Sequence, residues 1–128
     1  MPPGTEYFDK ILDLCEEKGV KVILTSVPLS DTFISTYKNL DVFREWYEEI
    51  AEERDIQFYD FNLYKEKTKI LSDDEALYDI RHLNDKGAER FSEIFSDVYK
   101  KSEKGEDVSN LFYDSYDEMK AQVFGFSS

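Results

Sequence analysis

The run of apolar and β-branched residues at positions 20–27, which Pro28 ends, constrains the fold of this chain most. A strand with one face in water alternates apolar and polar residues, whereas this run is nearly continuous. Continuous runs are typical of strands that are covered on both faces, as in parallel sheets. We therefore expect helices packed on a parallel sheet.

The segments on either side of this strand predict alternating helices and strands. Apolar residues at helical spacing predict helices over residues 5–18, 40–54 and 85–101, with Thr5 and Asn39 as candidate N-caps. A second short strand is expected over residues 56–61, a polar loop over 29–38, and a loop with at most one weak helical turn over 62–81. This order favours an α/β layer arrangement with right-handed crossovers. Two strands make a thin sheet, so we expect part of a larger doubly wound domain.

Composition and charge exclude several classes of function. Sixteen basic and 29 acidic residues give a net charge of −13. This field repels phosphate, so nucleic acid and anionic membrane surfaces are not expected partners. The apolar runs are far shorter than the roughly 20 residues that span a bilayer. The single cysteine, Cys15, forms no internal disulfide and lies on an apolar helix face, where we expect it to be buried.

The segment that carries chemistry surrounds the only histidine, His82, just before the third predicted helix. Asp79, three residues upstream, can turn back within a tight loop and accept the imidazole Nδ1–H. That contact fixes the tautomer and leaves Nε2 free to act as a base toward a serine hydroxyl. His82 also follows the second strand, on the side where α/β sheets place their sites. Without further context, a single loop histidine is more often a structural residue than a catalytic one.

The wider motif supplies that context. The pattern D-x-x-H followed by L-N-x-x-G-A and an amphipathic helix resembles the last conserved block of the SGNH (GDSL-type) hydrolases. The resemblance covers about residues 5–101. It implies a partial three-layer α/β/α fold, flavodoxin-like, with a short parallel sheet that lacks the N-terminal strands of the family. Residues 1–104 would then be the C-terminal half of the domain, and residues 105–128 an appendage that packs on the core or on another chain.

The resemblance also implies roles for two residues. Asp79 would be the orienting acid and His82 the general base of a Ser–His–Asp triad that acts on acyl esters of small molecules or polysaccharides. The H-L-N-x-x-G-A pattern is similar to that of cell-envelope members of the family, which act on acylated surface polymers. It contains no G-D-S block, and the oxyanion-hole glycine and asparagine belong to blocks upstream of residue 1. We therefore expect half a hydrolase, inactive alone, that needs no cofactor.

Two other interpretations stay open. The chain could be a degenerate half that serves as an interaction module and self-associates through its sheet edge and aromatic tail, or a segment with no role of its own. The acidic triplet Asp73, Asp74 and Glu75 does not follow the spacing of a calcium loop, so a solvated loop is expected there and no metal site. Asn84 is expected to cap the third predicted helix, and Gly87 to allow close packing near its start.

Overall fold

The computed structural model describes residues 4–71 and 76–126 of the chain. These residues form a mixed α/β fold with five helices and four short strands. In chain order they are α1 (Thr5–Glu17), β1 (Ile23–Ser26), α2 (Asp31–Thr36), α3 (Leu40–Arg54), β2 (Gln57–Asp60), β3 (Leu77–Asp79), β4 (His82–Leu83), α4 (Asp85–Glu103) and α5 (Tyr116–Phe124). Single 3₁₀ turns occur at Phe61–Leu63, Lys67–Lys69 and Ser109–Leu111.

The strands β1 and β2 pair in parallel, with Ile23 opposite Gln57 and Ser26 opposite Asp60. The parallel sheet expected from the sequence is therefore confirmed. The strand β1 is shorter than expected, and the two ends of the apolar run, Val20 and Val27, are exposed. Among the described residues β1 pairs with a strand on one edge only. The apolar run is therefore less covered by neighbouring structure than a strand in the middle of a wide sheet would be.

Helices pack on both faces of this small sheet. Neighbouring residues of a strand point to opposite faces. Phe58 of β2 contacts Tyr47 of α3, with ring centroids 5.7 Å apart, and Tyr59 contacts Phe95 of α4 at 6.4 Å. The helices α3 and α4 therefore cover opposite faces of the sheet. The helix α1 lies on the α3 side, where Phe8 packs on Trp46 at 5.7 Å.

The chain after α4 packs on this core. Phe112 stacks on Tyr59 with ring centroids 6.0 Å apart, and Tyr116 and Met119 of α5 are buried in a cluster with Ile34 and Leu63. Of the two arrangements expected for this appendage, packing on the core or on another chain, the structure shows the first. The chain after α4 packs on the β2 side of the sheet. Among the described residues it adds no strand to β1.

The polar loop expected over residues 29–38 contains a helix, so that expectation was wrong, and the loop expected over 62–81 holds more regular structure than the single helical turn expected there. Residues 29–38 include α2, whose N-cap is Ser30: its hydroxyl accepts a hydrogen bond from the Phe33 N–H at 3.2 Å. Only one apolar residue of α2, Ile34, is fully buried, so no apolar stripe marks this helix. The 3₁₀ turns at Phe61–Leu63 and Lys67–Lys69 and the strand β3 fall at or within the second loop.

Of the two N-caps expected from the sequence, that of α1 was wrong and that of α3 is confirmed in position only. The N-cap of α1 is Gly4, in a left-handed conformation with φ of 87°, and Thr5 is the first residue of the helix. Asn39 does occupy the N-cap position of α3, but its side chain makes no capping hydrogen bond there. The Gly4 carbonyl accepts the first hydrogen bonds of α1, from the Tyr7 N–H at 3.0 Å and the Phe8 N–H at 3.2 Å.

Candidate functional site

The candidate site lies on an antiparallel hairpin of β3 and β4. Asp79 is paired with His82 across the hairpin, and Ile80 and Arg81 form its tip. The Ser30 N–H donates a hydrogen bond to the Ile80 carbonyl at 3.2 Å. Because Ser30 follows shortly after β1, this bond anchors the hairpin at the carboxyl end of the parallel sheet, where α/β folds place their sites.

The side chains of Asp79 and His82 meet as the sequence predicts. Nδ1 of His82 lies 2.8 Å from Oδ1 and 2.9 Å from Oδ2 of Asp79. Oδ1 also accepts the Arg81 N–H at 2.8 Å. The Arg81 amide first, and the His82 ring second, hold the pKa of Asp79 below its ordinary value. Asp79 is therefore a carboxylate at neutral pH, able to accept the Nδ1–H.

The opposite side of the imidazole is open. The His82 side chain is 63% exposed and that of Asp79 is 44% exposed. Within residues 4–71 and 76–126, no side chain forms a hydrogen bond with Nε2. A ring whose Nδ1–H is donated to a carboxylate presents the Nε2 lone pair to solvent. This arrangement can take a proton from a hydroxyl group that approaches from outside.

The start of α4 holds the hairpin in place from behind. The Asn84 side-chain oxygen accepts the Gly87 N–H at 3.0 Å, and the Asn84 N–H donates to the Ala76 carbonyl at 3.0 Å. A Cβ on Gly87 would lie 2.2 Å from the Ala76 oxygen, well inside contact distance. The expected cap and the expected close approach at Gly87 are both confirmed. His82 is therefore held two residues before a fixed helix N-terminus.

A buried polar group that the sequence did not reveal lies at the end of β2. The Tyr116 hydroxyl donates to Asp60 Oδ2 at 2.6 Å, and the Asn62 N–H donates to Oδ1 at 3.0 Å. Burial raises the pKa of Asp60, and burial followed by the Asp60 charge raises the pKa of Tyr116. Tyr116 is 56 residues from Asp60. The positions of the two residues in the sequence therefore give no indication that they are in contact.

Asn62 joins this group to the other strand. Its side-chain oxygen accepts the Leu29 N–H at 2.7 Å, which ties the chain after β1 to the chain after β2. The carboxyl edge of the sheet is thus fixed by hydrogen bonds at both strands. These contacts position the loop that carries Ser30, and through it the hairpin.

The described residues contain no group of three or more His, Cys, Asp and Glu side chains that could hold a metal ion. Asp73, Asp74 and Glu75, for which the sequence predicts a solvated loop, lie outside the described residues. No helix in the described part of the chain is both long and apolar enough to cross a bilayer.

Comparisons of the chain with protein-family models, with curated proteins and with solved structures find no match. A functional assignment therefore rests on the geometry of the hairpin and of the carboxyl edge of the parallel sheet.

Proposed function

We propose that this chain supplies the Asp–His part of a Ser–His–Asp triad in an SGNH-type ester hydrolase or acyltransferase. The observation that carries the proposal is the contact of Asp79 with His82 Nδ1 at 2.8 Å, made while Nε2 stays open. In a triad the carboxylate holds the imidazole in the Nδ1–H tautomer and stabilises the imidazolium that forms. The sequence D-x-x-H-L-N-x-x-G-A supports the same assignment.

The chemistry needs a serine that this sequence does not supply. Nε2 of His82 takes the serine proton as the oxygen attacks the ester carbonyl, and returns it to the leaving alkoxide. Ser30 lies beside the hairpin, but its hydroxyl is buried and caps α2. The serine and the oxyanion donors then come from polypeptide outside residues 1–128. Because the His82 side chain is largely exposed, polypeptide that carries the serine and the oxyanion donors can pack against it.

The proposal includes a domain arrangement. Residues 1–104 would be the C-terminal half of a flavodoxin-like, three-layer α/β/α domain, and further parallel strands would join the free edge of β1. Support comes from the parallel pairing of β1 with β2 and from helices on both faces. The substrates would be acyl esters of small molecules or of polysaccharides, as in the cell-envelope proteins that the motif resembles.

The proposal is tested by hydrolysis of p-nitrophenyl acetate. The chain alone should show no activity above background, because it has neither nucleophile nor oxyanion hole. Protein expressed from a reading frame extended upstream should contain a G-D-S block within about 150 residues, the length of the missing α/β units. That longer protein should hydrolyse the ester. Turnover by residues 1–128 alone that His82→Ala abolishes would contradict the proposal, as would an extended frame without the serine block.

Variants of the extended protein test the roles of the two residues. His82→Ala should abolish turnover, and Asp79→Asn should lower kcat by about 10⁴-fold, the loss that a wrong imidazole tautomer causes in a serine-protease triad. Asp85→Asn is the matched control, since Asp85 is an exposed aspartate that begins α4 three residues after His82. Equal losses for Asp79→Asn and Asp85→Asn would refute the role of Asp79.

A second candidate function is a non-catalytic interaction module. It is favoured by an exposed apolar stripe on α1, formed by Tyr7, Ile11 and Leu14 at helical spacing. This stripe, and separately the unpaired edge of β1, are surfaces that another chain, or a second copy of this one, could cover. Activity of the extended protein distinguishes the two candidates.

A further inference from the structure

A cavity of about 280 Å³ opens at the carboxyl ends of both parallel strands. Ser26, the last residue of β1, and Asp60, the last residue of β2, lie at its base, and α2 and the start of α3 form its sides. Pockets that hold drug-sized ligands measure roughly 300–1,000 Å³. This cavity therefore suits a smaller group, of the size of one substituted ring.

The walls of the cavity are aromatic. Phe33 and Tyr37 stack face to face, with ring centroids 5.2 Å apart and planes inclined by 15°, and Phe43 faces the same space from α3. Tyr37 and Phe43 are each 37% exposed. Exposed rings that converge on one concavity provide stacking and edge contacts for a flat apolar group.

The polar groups at the base already have partners. Asp60 accepts hydrogen bonds from Tyr116 and Asn62, and Arg44 forms an ion pair with Glu48 at 2.7 Å. No charge at the base therefore needs a ligand of opposite sign. The recognition that the cavity offers comes from its apolar walls.

The cavity is joined to the catalytic pair by one short loop. Leu29 lines the cavity, and the next residue, Ser30, donates its N–H to the carbonyl of Ile80. Ile80 directly follows Asp79 and lies two residues before His82. Asp79 and His82 do not line the cavity themselves. A group held there lies at the same sheet edge as the pair and is linked to it through the Leu29–Ser30 segment.

We propose that this cavity is the acyl pocket of the site and that it binds the aromatic acyl group of an ester of benzoate size. The inference rests on the proposed function, since it names the substrate class of that site. Binding in the cavity requires neither the serine nor the oxyanion hole, so residues 1–128 alone are sufficient for the test.

The test is an NMR titration of the ¹⁵N-labelled chain with methyl benzoate, with methyl acetate as the ligand that lacks the ring. We expect saturable shifts of amides in residues 26–44 and 60–62 with methyl benzoate only. Phe43→Ala and Tyr37→Ala should weaken binding roughly tenfold each through the lost ring contacts. Val42→Ala is the matched control, since Val42 is 63% exposed, precedes Phe43 and does not line the cavity.

Three results would overturn the inference. They are the absence of saturable shifts, equal shifts with methyl acetate, and affinity unchanged in both Phe43→Ala and Tyr37→Ala. Shifts of the same amides that follow protein concentration without ligand would also overturn it, because a second copy would then cover the cavity. The hydrolysis test is independent: an inactive extended protein with intact methyl benzoate binding contradicts the triad alone, and an active one without binding contradicts the pocket alone.

Discussion

The Asp79 carboxylate has two hydrogen-bond partners in the hairpin, the Arg81 N–H and the His82 ring. Oδ1 accepts the backbone N–H of Arg81, which holds the carboxylate plane, and both oxygens face Nδ1 of His82. A carboxylate fixed by the backbone orients the ring without help from distant elements. This explains how a three-residue spacing can place the pair although both side chains are largely exposed.

The tautomer of His82 tests this arrangement directly. In alkaline solution the neutral ring should be in the Nδ1–H form, because only that form donates to Asp79. Asp79→Asn should move the population toward Nε2–H, since the amide group can itself donate to Nδ1. Ring ¹⁵N shifts from long-range ¹H–¹⁵N spectra report the tautomer, and no other histidine interferes. If Asp85→Asn changes the tautomer as much as Asp79→Asn does, the contact at Nδ1 is not its cause.

Asp60 predicts a pH dependence of stability. Burial raises the folded-state pKa of Asp60 above the reference value of 3.8, so the folded chain binds this proton more tightly than the unfolded chain does. The stabilising contribution is fully present below that reference value and is lost as pH rises through the folded pKa. The free energy of unfolding of the parent chain relative to Asp60→Asn should therefore be larger near pH 4 than near pH 7.

Urea denaturation at the two pH values measures this difference. Tyr116→Phe should destabilise the chain by about 1–3 kcal/mol, since it removes the hydroxyl that donates to the buried Oδ2. Tyr78→Phe is its control, because Tyr78 is among the most exposed aromatic residues. A pH-independent difference between the parent chain and Asp60→Asn would show that Asp60 is not the group that titrates.

At the scale of the elements, the hairpin packs closely on the start of α4. A methyl group at Gly87 would lie 2.2 Å from the Ala76 oxygen and 3.1 Å from Leu83 Cδ2. The Ala76 carbonyl also accepts the Asn84 N–H, so it cannot move away without loss of that bond. The glycine is required here by space, not by a left-handed backbone.

Gly87→Ala should therefore destabilise the chain by roughly 1–3 kcal/mol, although alanine is the better helix former. The same change should displace the hairpin and broaden the amide signals of residues 79–84 in NMR spectra. Glu89→Ala, at an exposed position two residues further along α4, is the control. A Gly87→Ala variant as stable as the parent chain would mean that the junction relaxes easily.

The elements also show what can be read from the sequence. The helices α1, α3 and α4 carry long apolar stripes, β1 lies within an apolar run and β2 within a short segment rich in aromatic residues, so sequence patterns locate them. The helix α2 and the strands β3 and β4 span six, three and two residues, too few for a period to emerge. Of the candidate site, the sequence locates the Asp79–His82 contact, whose catalytic role stays a prediction. The Asp60–Tyr116 bond depends on tertiary packing and leaves no local pattern.

At the scale of the whole molecule, an apolar stripe lies within a strongly acidic surface. Tyr7, Ile11 and Leu14 favour association, while the net charge of −13 opposes it. Salt screens the repulsion between two copies and leaves the apolar contact intact. Self-association should therefore increase with ionic strength, the opposite of what ion-pair contacts would cause.

Sedimentation equilibrium at low and high salt measures this effect. Ile11→Glu should abolish the association, because it places a charge in the centre of the stripe. Val123→Glu adds the same charge at an exposed apolar position of α5 and should leave association unchanged. A chain that is monomeric at every salt concentration, or equal behaviour of the two variants, would contradict an interface on α1.

The burial of Tyr116 and Met119 has a consequence for synthesis. The cluster of Ile34, Leu63, Tyr116 and Met119 draws on both halves of the chain, and its later members follow every strand in the order of translation. While the ribosome still encloses residues 116–119, the nascent chain has both parallel strands outside but one side of its interior uncovered. Such exposed apolar surface is what chaperones recognise. The first turn of α5, which carries both Tyr116 and Met119, therefore has to leave the ribosome before this cluster can close.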